Sequence, residues 1–220
     1  MDWTSGGAGL SRYWLSVYWL LVNFCSSTLI NPSSTLINPY QPAISVNYFE
    51  FFDLPLSFQV DEAALQRRFY QNSRQYHPDF HTLASAADQE QMLEMSTLNN
   101  QAWKTLSDAD RRIRYILEIK GLLGDEKAQP PLPQDFLMEM MDINEALMEL
   151  EFDFDTGRYA ATLQSLESLE HDLETGIRPL LEAWTDIGGT EAQLLQVRDF
   201  FLKKRYLLRI RENLAKFAAA

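Results

Sequence analysis

The sequence predicts an all-α protein. From Asn47 onward, apolar residues recur at steps of three and four, the signature of helices with one buried face. No segment alternates apolar and polar residues between hairpin turns, as strands of a half-buried sheet do. The helical patterns are broken by proline, glycine and capping residues rather than by change of period. Of the 220 residues, 46% are hydrophobic and 23% charged, ordinary values for a globular chain with one or two cores.

The first predicted helix, at about 47–53, carries Tyr48, Phe49 and Phe52 and is interrupted by Pro55. Asp61 is placed to cap a second helix reaching about Tyr76, with Leu65, Phe69 and Tyr76 on one face. Pro78 disfavours helix at His77 and ends it. A third helix runs from about Ser85 to Leu106, with Met95, Leu98, Ala102 and Leu106 as its buried stripe. Ser107, with Asp110 three residues on, is expected to open a fourth short helix that stops near Gly121. Gly121, Gly124, Pro130, Pro131 and Pro133 then mark 122–134 as a hinge or linker. Three helices follow at about 135–151, 156–186 and 190–217, and their short connections make them antiparallel neighbours in a bundle. The expected organisation is an extension over 1–46, a first domain over 47–121, the linker, and a C-terminal three-helix domain over 135–220.

The first 46 residues differ from the rest. Tyr13 to Phe24 is apolar and aromatic but shorter than the ~20 residues of a membrane-spanning helix. It lacks the basic start and small-residue cleavage site of a secretory signal, and the Arg-rich, acid-poor character of a transit peptide. Ser-Ser-Thr-Leu-Ile-Asn-Pro fills 26–32 and repeats at 33–39, and two copies cannot build a solenoid. The segment reads as an unstructured extension or a misassigned translation start, with a membrane-contacting segment as the alternative.

The formal net charge of −12 argues against nucleic-acid binding, because phosphates are repelled. It suits basic protein partners. Cys25 is the only cysteine, which excludes an intrachain disulfide or a multi-cysteine metal site and fits a reducing compartment such as the cytoplasm. No Ser/His/Asp or Cys/His constellation and no phosphate-binding glycine loop is readable. No cofactor, metal, membrane partner or enzymatic activity is expected.

The chemistry concentrates at two places. His77-Pro78-Asp79 falls between two amphipathic helices, at the tip of a predicted hairpin, where polar residues on a rigid support can meet a partner. On the preceding helix, Leu65, Phe69 and Tyr76 cluster within roughly 40°, which puts Arg67 and Arg74 on the solvent side. That basic face is either an ordinary solvated one or a surface that steers an acidic partner. The second place is the helix over 135–151. Phe136, Met140, Ile143, Leu147 and Leu150 form its core stripe. Leu137, Met141 and Met148 lie on a neighbouring edge, while Met138, Asp142, Glu145 and Glu149 extend toward the opposite face. These extra apolar residues either pack a wide face against two helices or form a binding surface with an acidic rim, for which methionine is adaptable. From Lys127 to Gly176 there are twelve acidic and two basic residues, and from Arg198 to Lys216 seven basic and two acidic. The two stretches are expected either to pair within the bundle or to leave an acidic surface for a basic partner.

The stretches Asn47-Tyr48-Phe49-Glu50-Phe51-Phe52-Asp53-Leu54-Pro55, Leu65-Gln66-Arg67-Arg68-Phe69, Arg74-Gln75-Tyr76-His77-Pro78-Asp79, Asn100-Gln101-Ala102-Trp103 and Arg111-Arg112-Ile113-Arg114-Tyr115-Ile116-Leu117 occur in order. Together they resemble the J domain of HscB-type co-chaperones. Asp135-Phe136-Leu137-Met138-Glu139 resembles the start of the scaffold-binding helix of that family. Arg205-Tyr206-Leu207-Leu208-Arg209-Ile210 resembles its C-terminal helix. The resemblance spans about 47–217. It implies that His77, Pro78, Asp79, Arg67 and Arg74 dock on a DnaK/HscA-type chaperone and trigger its ATP hydrolysis. It implies that Leu137, Met138, Met141, Asp142, Glu145, Glu149 and Tyr206 bind an IscU-type iron–sulfur scaffold protein. Phe80 departs from the family pattern, in which Lys often follows the tripeptide. The rival readings are a J-domain protein for another client, a purely structural bundle, and a metal enzyme using His77 and His81. Pro78 opposes the regular helix on which an i,i+4 histidine pair binds zinc.

Overall fold

The computed structural model describes residues 47–124 and 131–218. The apolar run and the heptapeptide repeat of 1–46 lie outside the described residues. So does the middle of the expected linker. Among the described residues the protein is helical, with one isolated antiparallel bridge between Ser57 and Thr185. No helix among them is long and apolar enough to cross a membrane.

Helix α1 spans Tyr48–Phe51, α2 Glu62–Gln75, α3 Ala86–Leu106 and α4 Ala109–Ile119. A 3-10 turn, Pro78–Phe80, lies between α2 and α3. The starts follow cap chemistry. Asp61 accepts from the amides of Ala63 and Ala64, at 2.9 and 3.1 Å. Ser85 Oγ accepts from Asp88 N and donates to the Asp88 carboxylate. Each satisfies amides that the first helical turn leaves without partners. The start of α4 corrects the expectation at Ser107. Ser107 is still in αR and bonds back to Trp103 O as the cap ending α3. Asp108 takes the N-cap, its Oδ1 2.8 Å from Arg111 N, and its carboxylate also complements the helix dipole.

The C-terminal part comprises α5 Gln134–Glu139, α6 Met141–Phe152, α7 Thr156–Ala183 and α8 Glu191–Ala218. The single helix expected over 135–151 is therefore divided at Met140, whose ψ is −8°. The carbonyl of Met140 accepts both the amide and the side-chain Nδ2 of Asn144, at 3.0 and 2.8 Å. Such side-chain competition loosens helical geometry locally. The stripe survives the break: Phe136, Met140, Ile143, Leu147 and Leu150 are all buried, against Leu166 of α7 and Leu207, Ile210 and Leu214 of α8. Burying each such side chain contributes about 1.5–3 kcal/mol relative to exposure.

Helix α7 stops at Ala183 rather than at 186, for a tertiary reason. Trp184 turns to extended backbone, with ψ 131°, and its side chain joins the core of the N-terminal helices. That core combines Phe49, Phe52, Leu65, Leu106 and Ile116 with Trp184, Val197 and Phe200. Ser57 Oγ donates to Trp184 O at 3.3 Å, Asp186 N donates to Leu56 O at 3.3 Å, and the Phe58 ring lies 4.8 Å from the indole. Gly189 passes over that indole so closely that a Cβ there would sit 2.0 Å from Trp184 Nε1. Helix α8 starts just beyond, with Thr190 and Gln193 capping each other reciprocally. Lys204 of α8 reaches Asp110 of α4 at 2.8 Å and Glu174 of α7 at 3.2 Å. Residues 47–123 thus pack directly on the ends of α7 and α8. The described ends of the linker are also anchored: Leu122 and Leu123 pack on the core around Trp184, here the upper core, and Leu132 on the core beneath the Phe136–Leu150 stripe, the lower core.

Candidate functional site: a charged hairpin tip and an acidic, methionine-bearing helix face

Helices α2 and α3 form the hairpin that carries the tripeptide. Pro78 requires extended backbone before it, and His77 has φ −68° and ψ 127°. His77 then serves as the N-cap of the 3-10 turn, its Nδ1 accepting from Asp79 N at 3.3 Å. An imidazole accepting at Nδ1 in its neutral form carries its proton on Nε2. The Asp79 carboxylate lies 3.8 Å from the same nitrogen, and the two side chains are 52% and 84% exposed. Phe80 N to His77 O and His81 N to Pro78 O close the turn, at 3.0 and 2.9 Å. The tripeptide is consequently held by its own backbone while its side chains face solvent.

His81 Nε2 lies 2.7 Å from Gln75 O, a contact in which the ring must donate. His77 and His81 are thereby committed to different partners. Among the described residues no group of three or more His, Cys, Asp or Glu is placed to hold a metal ion. Arg67 and Arg74 are exposed on α2, seven residues and about 10 Å apart along one side of the helix. Arg68 pairs with Asp53, whereas Arg67 and Arg74 form no ion pair with a described residue. Phe80 is 72% exposed and sets its ring edge-on to His77 at 5.8 Å.

The hairpin depends on a residue that the stripe reasoning passed over. Asn99 of α3 is buried, and its Nδ2 donates to Phe69 O and Ser73 Oγ of α2, at 3.2 and 3.0 Å. The signal was its position, four residues after Met95 and three before Ala102. The rings of Phe69 and Trp103 meet at a 31° tilt, with centroids 4.8 Å apart. At the other end, Arg112 is buried with Nε on Phe58 O and a guanidinium nitrogen on Leu106 O. Burial lowers its pKa, against an opposing pull from Asp108 and Glu62.

The second surface lies on α5 and α6. Leu137 is half-buried, while Asp142, Glu145 and Glu149 are exposed. Met138, Met141 and Met148 are 62%, 40% and 39% exposed, so part of each side chain stays open to solvent. Tyr206 is brought to this surface from α8, 62 residues distant from its partner Asn144. Its hydroxyl accepts from Asn144 Nδ2 at 3.0 Å, and its ring meets Phe136 edge-on at 5.7 Å. The surface therefore has an edge near α8, marked by Tyr206. On the other side is a groove against α7, walled by Glu139, Asp142, Glu145 and Glu149 and floored by Ala161, Thr162 and Ser165.

Charge pairing within the bundle is real but incomplete. Arg211 of α8 pairs with Glu170 and Glu167 of α7, and Lys204 with Glu174. On α6, Glu149 pairs with Arg158 at 3.0 Å. Asp142 and Glu145 form no ion pair with a described residue. Arg211 and Lys204 thus pair with three carboxylates of α7, while Asp142 and Glu145 of α6 keep their charge unpaired among the described residues.

Comparison with known proteins identifies relatives of this chain. A family model described as the HSCB C-terminal oligomerisation domain matches residues 132–215. The iron-sulfur cluster co-chaperone protein HscB of Homo sapiens is 30% identical over 171 residues, covering 76% of this chain and 67% of its own. The co-chaperone protein HscB homolog of Shewanella halifaxensis (strain HAW-EB4) is 29% identical over 172 residues, covering 78% of this chain and 96% of its own. The crystal structure of human co-chaperone protein HscB superposes with a TM-score of 0.59 at 27% identity, over 79% of this chain and 83% of that one. The chaperone HscB from Vibrio cholerae shares the fold at 23% identity, with a TM-score of 0.54.

Proposed function

This chain belongs to the HscB co-chaperone family, and from that premise we propose that it serves iron–sulfur cluster assembly by bringing a cluster scaffold protein of the IscU type to a DnaK/HscA-type chaperone and stimulating that chaperone's ATPase. The observation that carries this reading is the coexistence of two exposed surfaces of different chemistry on one packed framework. His77, Pro78 and Asp79 at the tip, with Arg67 and Arg74 along the exposed side of α2, offer a polar and basic surface suited to an acidic docking site on the chaperone. Leu137, Met138, Met141, Asp142, Glu145 and Glu149, with Tyr206 at the edge, offer an apolar centre and acidic rim suited to a basic patch on the scaffold.

The protein needs no catalytic residue for this role. The ATP chemistry belongs to the chaperone, and this chain biases the chaperone between conformational states by binding one of them better. The cytoplasm, whose reducing conditions suit a chain with one cysteine, is the compartment in which this reading puts it.

The test is chaperone ATPase turnover, measured alone, with this protein, with the scaffold, and with both. The reading expects stimulation by this protein and a synergistic increase when the scaffold is added. Stimulation without synergy assigns a different client, and no stimulation at either stage leaves only a structural bundle.

A further inference from the structure

The exposed apolar residues of the C-terminal part do not end where the scaffold surface proposed above ends. Along α6, Met141, Glu145, Met148 and Phe152 step by four, three and four. At about 100° per residue the four fall within roughly 60° of one another. Met148 is 39% exposed, and Phe152, the last residue of the helix, is 89% exposed. Five of the twelve large apolar side chains exposed among the described residues lie between Met138 and Phe154. From Met138 to Phe152 the line measures about 21 Å at 1.5 Å per residue. Scattered exposed apolar residues need no explanation, but a contiguous line beside unpaired charge marks an interaction surface.

Charge identifies the kind of partner. Residues 135–155 contain eight carboxylates and no basic residue. Glu151 and Asp153, on either side of Phe152, form no ion pair with a described residue. A second copy docking through its own α6 would bring the same carboxylates against these, and an anionic lipid surface would be repelled in the same way. A protein segment with apolar side chains flanked by lysine or arginine complements both parts of the line.

We propose that the scaffold-binding surface continues past Glu149 to the end of α6, where Met148 and Phe152 form a second apolar anchor for a basic-flanked segment of the same protein partner. This rests on the scaffold-binding reading given above. Phe152 is the outer anchor, flanked in sequence by Glu151 and Asp153. The half-exposed Phe154, whose ring lies 6.0 Å from Tyr159, borders it on the side of α7.

The experiment compares two double variants of the full chain, Met148→Ala with Phe152→Ala and Leu137→Ala with Met141→Ala, in calorimetric titrations with purified apo scaffold protein. Thermal melting of each variant checks that the fold is intact, as the exposure of Phe152 leads one to expect. The expected result is a loss of affinity of about tenfold for the distal pair and at least as much for the proximal pair, with wild-type affinity falling as salt is raised. An unchanged distal variant beside a weakened proximal one overturns the extension and leaves the proposed function standing. Two unchanged variants overturn the scaffold surface and the extension together. A loss at the distal pair alone overturns the continuous surface, and salt-independent affinity overturns the charge complementarity.

Discussion

The hairpin tip and the α5–α6 face are both exposed, but they are built in opposite ways. At the tip, the side chains proposed for binding are polar and small in area. Their geometry comes from backbone: the residue before Pro78 is extended, His77 caps the turn, and Asn99 ties the two supporting helices together. On α5–α6 the groups proposed for binding alternate with buried ones along one helix surface, so Phe136, Met140, Ile143 and Leu147 hold them by packing. A short turn presents a few charged groups in one orientation, which suits a brief contact that changes a partner's state. A helix face offers area and adaptable methionine, which suits holding a client.

This contrast can be broken at its strongest point first. Replacing His77 by Gln is expected to bring chaperone ATPase stimulation down at least about tenfold, with melting and scaffold affinity unchanged, because the side chain is half exposed. Retained stimulation removes the tip from the mechanism. Next, the Leu137→Ala, Met141→Ala double variant is expected to weaken scaffold binding by about 2 kcal/mol. Its stimulation of the chaperone in the absence of scaffold should match wild type. A fall in both properties means that the two surfaces are not separable.

The third change sharpens the comparison from inside. Asn99→Ala removes both hydrogen bonds between α2 and α3 and is expected to cost about 1–3 kcal/mol of stability, read from urea unfolding. Chaperone stimulation should fall while scaffold affinity holds, since Asn99 is remote from the lower core. An equal loss of both shows that the halves unfold together.

The smallest effect is alkaline. Burial raises the pKa of Tyr48 above its ordinary 10.0, with Glu118 adding to it. Burial likewise raises that of Tyr115, partly offset by the hydrogen bond from Tyr48 N. For Lys204, burial alone lowers the pKa, but Asp110 and Glu174 together outweigh it and the value rises above 10.5. All three groups hold their protons more tightly when folded. Their contribution is therefore fully present below the unfolded values and is lost as pH rises through the folded ones. Urea midpoints should stay level from pH 8 to about 10 and then fall. A midpoint that rises above pH 10 contradicts these assignments.

Much of the fold was legible because helix starts, stops and buried stripes are local. Asp61, Ser85 and Pro78 act where the pattern placed them, and all five residues of the Phe136–Leu150 stripe are buried. Local reasoning failed where two helices compete for one residue, as at Ser107 and Asp108, or where a side chain takes a backbone carbonyl, as Asn144 does from Met140. For the candidate site, sequence pattern nominates residues, but that Met138, Met141 and Met148 stay partly uncovered was not readable in it. Periodicity gives the angle of a side chain and not what lies opposite it.

The all-α class, most helix boundaries and the residues that present polar or acidic faces follow from backbone preferences and a period of 3.6 residues, and so are legible in the chain before any long-range contact forms. That Trp184 ends α7 by turning into a core beside Ser57, 127 residues away in sequence, depends on packing between distant segments. Long-range packing likewise requires Gly189 to lack a Cβ, sets Tyr206 at the border of the α5–α6 surface, and pairs Arg211 and Lys204 with Glu167, Glu170 and Glu174 of α7 while Asp142 and Glu145 of α6 form no ion pair with a described residue. Each of these depends on chain segments far apart in sequence coming into contact, and no local pattern encodes which surfaces will meet.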